Sequence, residues 1–280
     1  MQVIHTIKDL DALLFQERAV GKSVGLVPTM GALHQGHASL VRRSVGENDV
    51  TVVSIFLNPT QFNDPKDLER YPRTLDDDCR LLEECGASVA FAPSVSEMYP
   101  EPDTRQFSYP PTDSVMEGAH RPGHFNGVCQ IVSKLFYAVR PDRAYFGEKD
   151  YQQICVIRRM VADLRLNLEI VPCPVIREES GLAMSSRNSL LTPQEKILAA
   201  NIYRIMRESL TLDLSVRETE EWVTHAINAI DGLEVEYYSI VDGDTLAAVA
   251  NWDEAAHVVG CITVYCGATP IRLIDHIRYK

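Results

Sequence analysis

Short apolar runs alternate with segments of helical period along the first two-thirds of the chain. Ser23–Val27, Val50–Leu57, Ser88–Phe91, Arg143–Phe146 and Leu168–Val171 read as buried strands. Between them, Ala38–Val45, Thr74–Cys85, Gly127–Val139 and Tyr151–Leu164 carry helical spacing. Strand and helix in turn predict an α/β fold, a doubly wound, Rossmann-like parallel sheet. Ligands of such sheets lie beyond the carboxyl ends of the strands, where the turns after Val27, Leu57 and Phe146 fall.

The rhythm ends around Pro172–Pro174. Helical stretches at Pro193–Leu210 and Val216–Ala229 then precede strand-like runs at Glu234–Val241, Ala256–Tyr265 and Ile271–Ile277. The expected organisation is a sheet domain over 1–175 and a smaller α+β domain over 176–280. Five prolines between Pro93 and Pro111 predict an ordered excursion or flap over that stretch.

Composition narrows the class. At 280 residues, with 45% hydrophobic and 24% charged positions, the chain is expected to be globular with about two domains. Seven cysteines, an odd number scattered from Cys79 to Cys266, argue for buried thiols in a reducing compartment rather than a disulfide framework. Met1–Leu10 lacks a basic start followed by an apolar core, and nowhere do eighteen apolar residues run together, so neither export nor membrane insertion is expected. The net charge of −12 disfavours a nucleic-acid partner. Asp213–Glu254 sharpens that exclusion, with eleven acidic residues against Arg217 as the sole Lys or Arg.

Candidate chemistry concentrates after the first strand, in Val27-Pro28-Thr29-Met30-Gly31-Ala32-Leu33-His34-Gln35-Gly36-His37. Pro28 removes a ladder donor and is expected to stop the strand. Gly31 and Gly36 are expected to supply positive φ and close backbone approach. Amides at the following helix start favour phosphate oxygens, and His34 and His37, three apart, point to one side as donors for a departing pyrophosphate. A capped surface turn is the plain alternative. A zinc site is disfavoured, because no cysteine pair of metal spacing accompanies the histidines.

Three further elements sit at predicted ligand edges or loops. In Phe56–Phe62, Asn58 and Gln61 can either orient a small polar substrate or satisfy the loop itself. In Tyr145–Gln153, Lys149 is a phosphate partner or a surface lysine, and Gln153 shares a face with Asp150. Met184-Ser185-Ser186-Arg187-Asn188 offers hydroxyls, amides and a guanidinium as a flexible phosphate clamp, or forms an ordinary turn. Thr74 with Asp76, Asp77 and Asp78 makes a helix start in which the hydroxyl is expected to cap.

Taken together, the His-x-Gly-His turn, the later lysine and the Ser-Ser-Arg-Asn loop resemble the HIGH and KMSKS signatures of the nucleotidylyltransferase superfamily. Pro28–His37, Phe56–Phe62, Arg121-Pro122-Gly123-His124-Phe125, Phe146–Gln153 and Met184–Asn188, in that order, resemble the pantoate–beta-alanine ligase (pantothenate synthetase) family more closely. Beyond residue 193 the likeness rests on length and architecture. Gln35 and Ala38 are variants inside the first motif, at a turn and a helix position.

The resemblance implies a cytoplasmic, homodimeric, magnesium-dependent ligase that uses ATP to join pantoate to beta-alanine. It implies His34, His37, Lys149 and Arg187 as catalytic, with Ser185 and Ser186 on the triphosphate and His37 as proton donor. Gln61 and Gln153, with Asn58, Pro28 and Met30, would bind pantoate. Met30, Gly31, Ala32, Leu33, Gln35 and Gly36, then Gly147, Glu148, Lys149, Asp150, Ile176 and Met184, would line the ATP site. Asp77 would help with magnesium, unless the aspartates only start a helix. Another adenylyl- or cytidylyltransferase would share the histidines without reason for the two glutamines. A nucleotide sensor would bind ATP and transfer nothing.

Overall fold

The computed structural model describes residues 1–62, 68–69 and 71–280. They divide into two compact, interleaved units: 1–109, 118–147 and 156–173 form the first, and 110–117, 148–155 and 174–280 the second. The segments 110–117 and 148–155 thus group with the later part of the chain, although both lie within the span 1–175 expected for the sheet domain.

The first unit is a six-stranded parallel sheet, β1 (Gln2–Ile4), β2 (Val24–Thr29), β3 (Val50–Ile55), β4 (Val89–Phe91), β5 (Arg143–Gly147) and β6 (Glu169–Cys173). Their order is β1-β4-β3-β2-β5-β6. Valine-rich strands with nearly every residue buried, as in Val50–Ile55, suit a parallel sheet covered on both faces. The order reverses between β2 and β5, and this switch point is where a doubly wound sheet opens a crevice.

Pro28 does not end its strand. β2 pairs with β3 through Pro28↔Ser54 and Thr29↔Ile55. Val24 turns its polar groups towards β5, as the bond from Asp142 N–H to its carbonyl shows, so Leu26 and Pro28 face that side too. Pairing with β5 stops at Leu26, so the donor missing at Pro28 falls where no ladder bond is required.

The longer helices of this part of the chain are α1 (Ile7–Ala19), α2 (Gln35–Glu47), α3 (Leu75–Glu84), α4 (His124–Val139) and α5 (Tyr151–Asp163). β1 and α1 were absent from the sequence expectation. Three residues are too few to show alternation, whereas α1 had signals, a Thr6 cap and the buried Leu10 and Leu14. At α3 the cap residue Thr74 makes no side-chain capping bond; its hydroxyl donates instead to Asp78 Oδ1 (3.3 Å). The proline-rich stretch lies ordered on α4. Gln130 donates to the carbonyls of Asp103 (3.1 Å) and Arg105 (2.9 Å), and Asn126 accepts from Phe107 N–H (2.8 Å). The Arg105 guanidinium holds the Asp103 carboxyl at about 2.

The second unit packs α6 (Pro193–Ser209) and α7 (Val216–Asn228) with an antiparallel sheet of β7 (Leu233–Asp242), β8 (Val258–Cys266) and β9 (Ile271–Arg278). Reciprocal capping boxes, Thr192 with Glu195 and Ser215 with Glu218, start both helices. Six of the seven cysteines are buried in the two units as small apolar side chains; Cys79 is half-buried. Among the described residues no helix is long and apolar enough to cross a membrane.

Candidate active site

In the first unit the chain leaves β2 through a tight loop. Gly31 has φ +85° and Ala32 φ +51°, so the left-handed step is taken by Gly31 and Ala32 rather than by Gly36, which lies inside α2. A Cβ on Gly31 would stand 3.1 Å from Asp78 Oδ2 and 3.2 Å from Ile55 Cγ2. The loop is held from below by Asp78, buried in α3, whose carboxylate accepts from Ala32 N–H (3.1 Å) and Leu33 N–H (2.8 Å). Burial raises its pKa, and those two amides offset part of the shift.

His34 then caps α2. Gly36 N–H donates to His34 Nδ1 (3.1 Å), and His34 N–H donates to His37 Nδ1 (3.3 Å), a capping box made of two imidazoles. Their ring centroids are 4.1 Å apart. Because each Nδ1 accepts from an amide, each neutral ring must carry its proton on Nε2. The helix start therefore holds two imidazole donors of fixed tautomer beside its own amides.

Beyond β3, Asn58 is buried and fully committed. Its Nδ2 donates to Gln61 Oε1 (3.0 Å) and to the Gly127 carbonyl (3.1 Å), while its Oδ1 accepts from Tyr99 O–H (2.8 Å) and Thr60 O–H (3.2 Å). All four side-chain hydrogen-bonding positions of Asn58 are thus used within the protein, one of them on Gln61. Gln61 Nε2 lies 3.1 Å from Met30 Sδ, which brings the two expected substrate residues together. The Gln61 carbonyl accepts from His124 Nδ1 (2.9 Å), whose Nε2 accepts from Arg121 (3.3 Å). A Cβ at Gly127 would come 2.5 Å from the Thr60 carbonyl oxygen, so the bare glycine lets α4 approach this turn.

In the second unit Lys149 Nζ pairs with Asp150 (3.1 Å). Ser186–Leu190 forms a 3₁₀ turn, with Ser185 Oγ accepting from Arg187 N–H (3.2 Å). Met184 N–H donates to the Ile176 carbonyl (2.9 Å), bringing together two residues expected at the ATP site. Arg177 braces the same hairpin by a fork onto Asp275 (2.6 and 2.9 Å) and by lying 3.4 Å from the Tyr203 ring centroid. A cavity of about 20 Å³ is lined by Lys149, Ser185, Arg187 and Asn188 among others, and Asn188 Oδ1 is buried without a partner among the described residues.

The sequence pattern of the pantoate-beta-alanine ligase family matches residues 2–278. The chain belongs to this family. A pantothenate synthetase of Bacteroides thetaiotaomicron is 65% identical over 100% of this chain and 99% of its own length, and one of Porphyromonas gingivalis is 54% identical over 100% of both. The crystal structure of pantothenate synthetase from Thermus thermophilus superposes with a TM-score of 0.92 at 43% identity, covering 100% of this chain and 99% of that one. A pantoate-beta-alanine ligase from Francisella tularensis, solved in complex with beta-gamma ATP and beta-alanine, gives a TM-score of 0.83 at 35% identity, covering 100% of this chain and 98% of that one. The chain is accordingly an ATP-dependent ligase whose substrates are pantoate and beta-alanine, which sets aside the rival transferase and the sensor.

Within this ligase fold, sequence reasoning missed Asp78, Tyr99 and the Arg177–Asp275 brace. Asp78 had a signal, since with Leu82 and Cys85 it falls on the buried face of α3. Asp77 is exposed and ion-paired with Arg80, so it is the neighbouring aspartate that reaches the glycine loop.

Proposed function

We propose that the ligase works in two steps through a pantoyl adenylate. A pantoate carboxylate oxygen forms a bond to the α-phosphorus of ATP as the bond to the β-phosphate oxygen breaks, releasing pyrophosphate. The neutral amine of beta-alanine then attacks the acyl carbon, loses a proton and expels AMP. The observation that carries this reading is the pair of histidines fixed as Nε2–H donors at the start of α2. Donors held in place before charge develops on a leaving pyrophosphate stabilise the transition state without reorganising.

In this reading Gly31–His37, Gly147–Asp150, Ile176 and Met184 bind the nucleotide, and Lys149, Ser185, Ser186 and Arg187 hold its phosphates. Gln61 and Gln153 orient pantoate beside Met30 and Pro28. Neutral amides suit that task, because a bidentate arginine would hold the attacking carboxylate and blunt it. Magnesium accompanies the triphosphate, and Asp77, an exposed carboxylate paired at the surface with Arg80, is the residue read as helping to hold it. The protein works in the cytoplasm as a homodimer, a setting that suits cysteines buried as small hydrophobes.

The deciding experiment is pantoate-dependent exchange of labelled pyrophosphate into ATP, with magnesium and without beta-alanine. Exchange is the expected result. Its absence, with overall synthesis intact, removes the adenylate. For the substrate pocket, Gln61→Ala is expected to raise the KM for pantoate roughly tenfold and leave that for ATP unchanged, the scale of a lost hydrogen bond to a charged group. A rise confined to ATP would reassign the pocket.

A further inference from the structure

We infer that Tyr99 is a positioning residue for pantoate, acting through Asn58 to fix which end of the Gln61 amide faces the substrate. The inference rests on the reading of Gln61 as a pantoate ligand. It begins with the Gly127 carbonyl, which can only accept, so the Asn58 atom 3.1 Å away must be Nδ2. The second proton of that nitrogen meets Gln61 at 3.0 Å, which makes the Gln61 atom there Oε1. The Gln61 amino group is thereby turned to the other side, where Met30 Sδ lies at 3.1 Å. An acid approaching there meets a donor and not a carbonyl oxygen.

The far end of the chain is Tyr99. Its hydroxyl donates to Asn58 Oδ1 at 2.8 Å, the shortest bond of the set, while the other hydroxyl on that oxygen belongs to the exposed Thr60. Burial raises the pKa of the phenol and so keeps it a donor. Its ring is fixed by the Lys134 ammonium, 5.0 Å from the centroid, and by Phe56 at 6.2 Å. Every bond points the same way, from Tyr99 O–H to Asn58, from Asn58 N–H to Gln61, and from Gln61 N–H outward. Such a series polarises along its length, and losing its first donor weakens the last.

Tyr99→Phe keeps the ring and removes only the hydroxyl. The expected result is a KM for pantoate raised about fivefold, with the KM for ATP and the unfolding midpoint close to those of the parent. Added to Gln61→Ala, the same change is expected to raise the KM for pantoate no further, because its effect passes through the missing amide. If Gln61→Ala weakens pantoate while Tyr99→Phe does not, or if the two effects simply add, the positioning role is overturned and the Gln61 assignment survives. If Gln61→Ala itself leaves pantoate untouched, the reading beneath the inference falls first.

Discussion

Replacing His37 with alanine is expected to lower turnover by roughly a hundredfold or more, the scale lost with a charge-stabilising donor. The reason lies in how the ring is held. Its Nδ1 accepts from His34 N–H, so the neutral ring has one proton to offer, on Nε2. Passing that proton on entirely would leave an imidazolate, so a neutral His37 stabilises the departing pyrophosphate by hydrogen bonding rather than as a full proton donor. A protonated ring would need Nδ1 for its second proton and would break the capping box at the start of α2. His37→Ala also removes that cap, at a cost of about 1 kcal/mol in stability. The unfolding midpoint and the pyrophosphate-exchange rate separate the two effects. His37→Asn, which can still accept the cap bond and donate, is expected to recover part of the loss. Near-normal turnover in the alanine variant would remove His37 from the chemistry.

The largest effect on stability is expected at Glu117. Burial would raise its carboxyl, yet the Arg272 guanidinium, with hydrogen bonds from Thr263 and Tyr237, brings it down to about 2. Arg272 reaches it with two nitrogens (2.7 and 2.6 Å) and also engages Glu236 (2.5 Å). Removing one member of such a buried cluster leaves charge uncompensated, so Glu117→Ala is expected to cost about 3 kcal/mol in denaturant unfolding, the lower end of the usual range because Glu236 remains on Arg272. The sign of the pH dependence follows from the lowered pKa. Stability from Glu117 is present above the ordinary carboxyl value of 4.5 and is lost as pH falls through it towards 2. Asp103, lowered likewise to about 2, adds to the same acid limb. The variant should therefore lose less stability than the parent between about pH 5 and pH 2. Equal stability at neutral pH, with an unchanged acid limb, would show that the cluster contributes nothing net.

The parallel sheet and its helices were legible because burial on both faces writes continuous apolar runs such as Thr51–Ile55, and helix starts such as Thr192-Pro193 carry their own chemistry. What misled was reading each residue through its own preference alone. Pro28 looked like a strand breaker until the end of the β5 ladder made its missing donor irrelevant. Thr74 looked like a cap, but its hydroxyl is drawn to Asp78. Of the candidate site, the two histidines were legible from spacing, whereas their fixed tautomers depend on amide directions that no spacing reports. Asn58 shows the same limit: its amide type was readable, but only its four partners reveal that it serves Gln61.

The strand order also fixes a timetable. β2, which delivers the chain into the glycine loop, gains one neighbour early, since Val24 pairs with Val50, but its other neighbour is β5, with Gly25 opposite Arg143. On the ribosome, the loop's supporting strand stays an open edge until most of the first unit has emerged. Pairings so distant in sequence form slowly and expose unpaired strands meanwhile. The glycine loop and the strand that feeds it are therefore among the first parts to be translated and among the last to be finished, which leaves them most in need of protection while the chain is still growing.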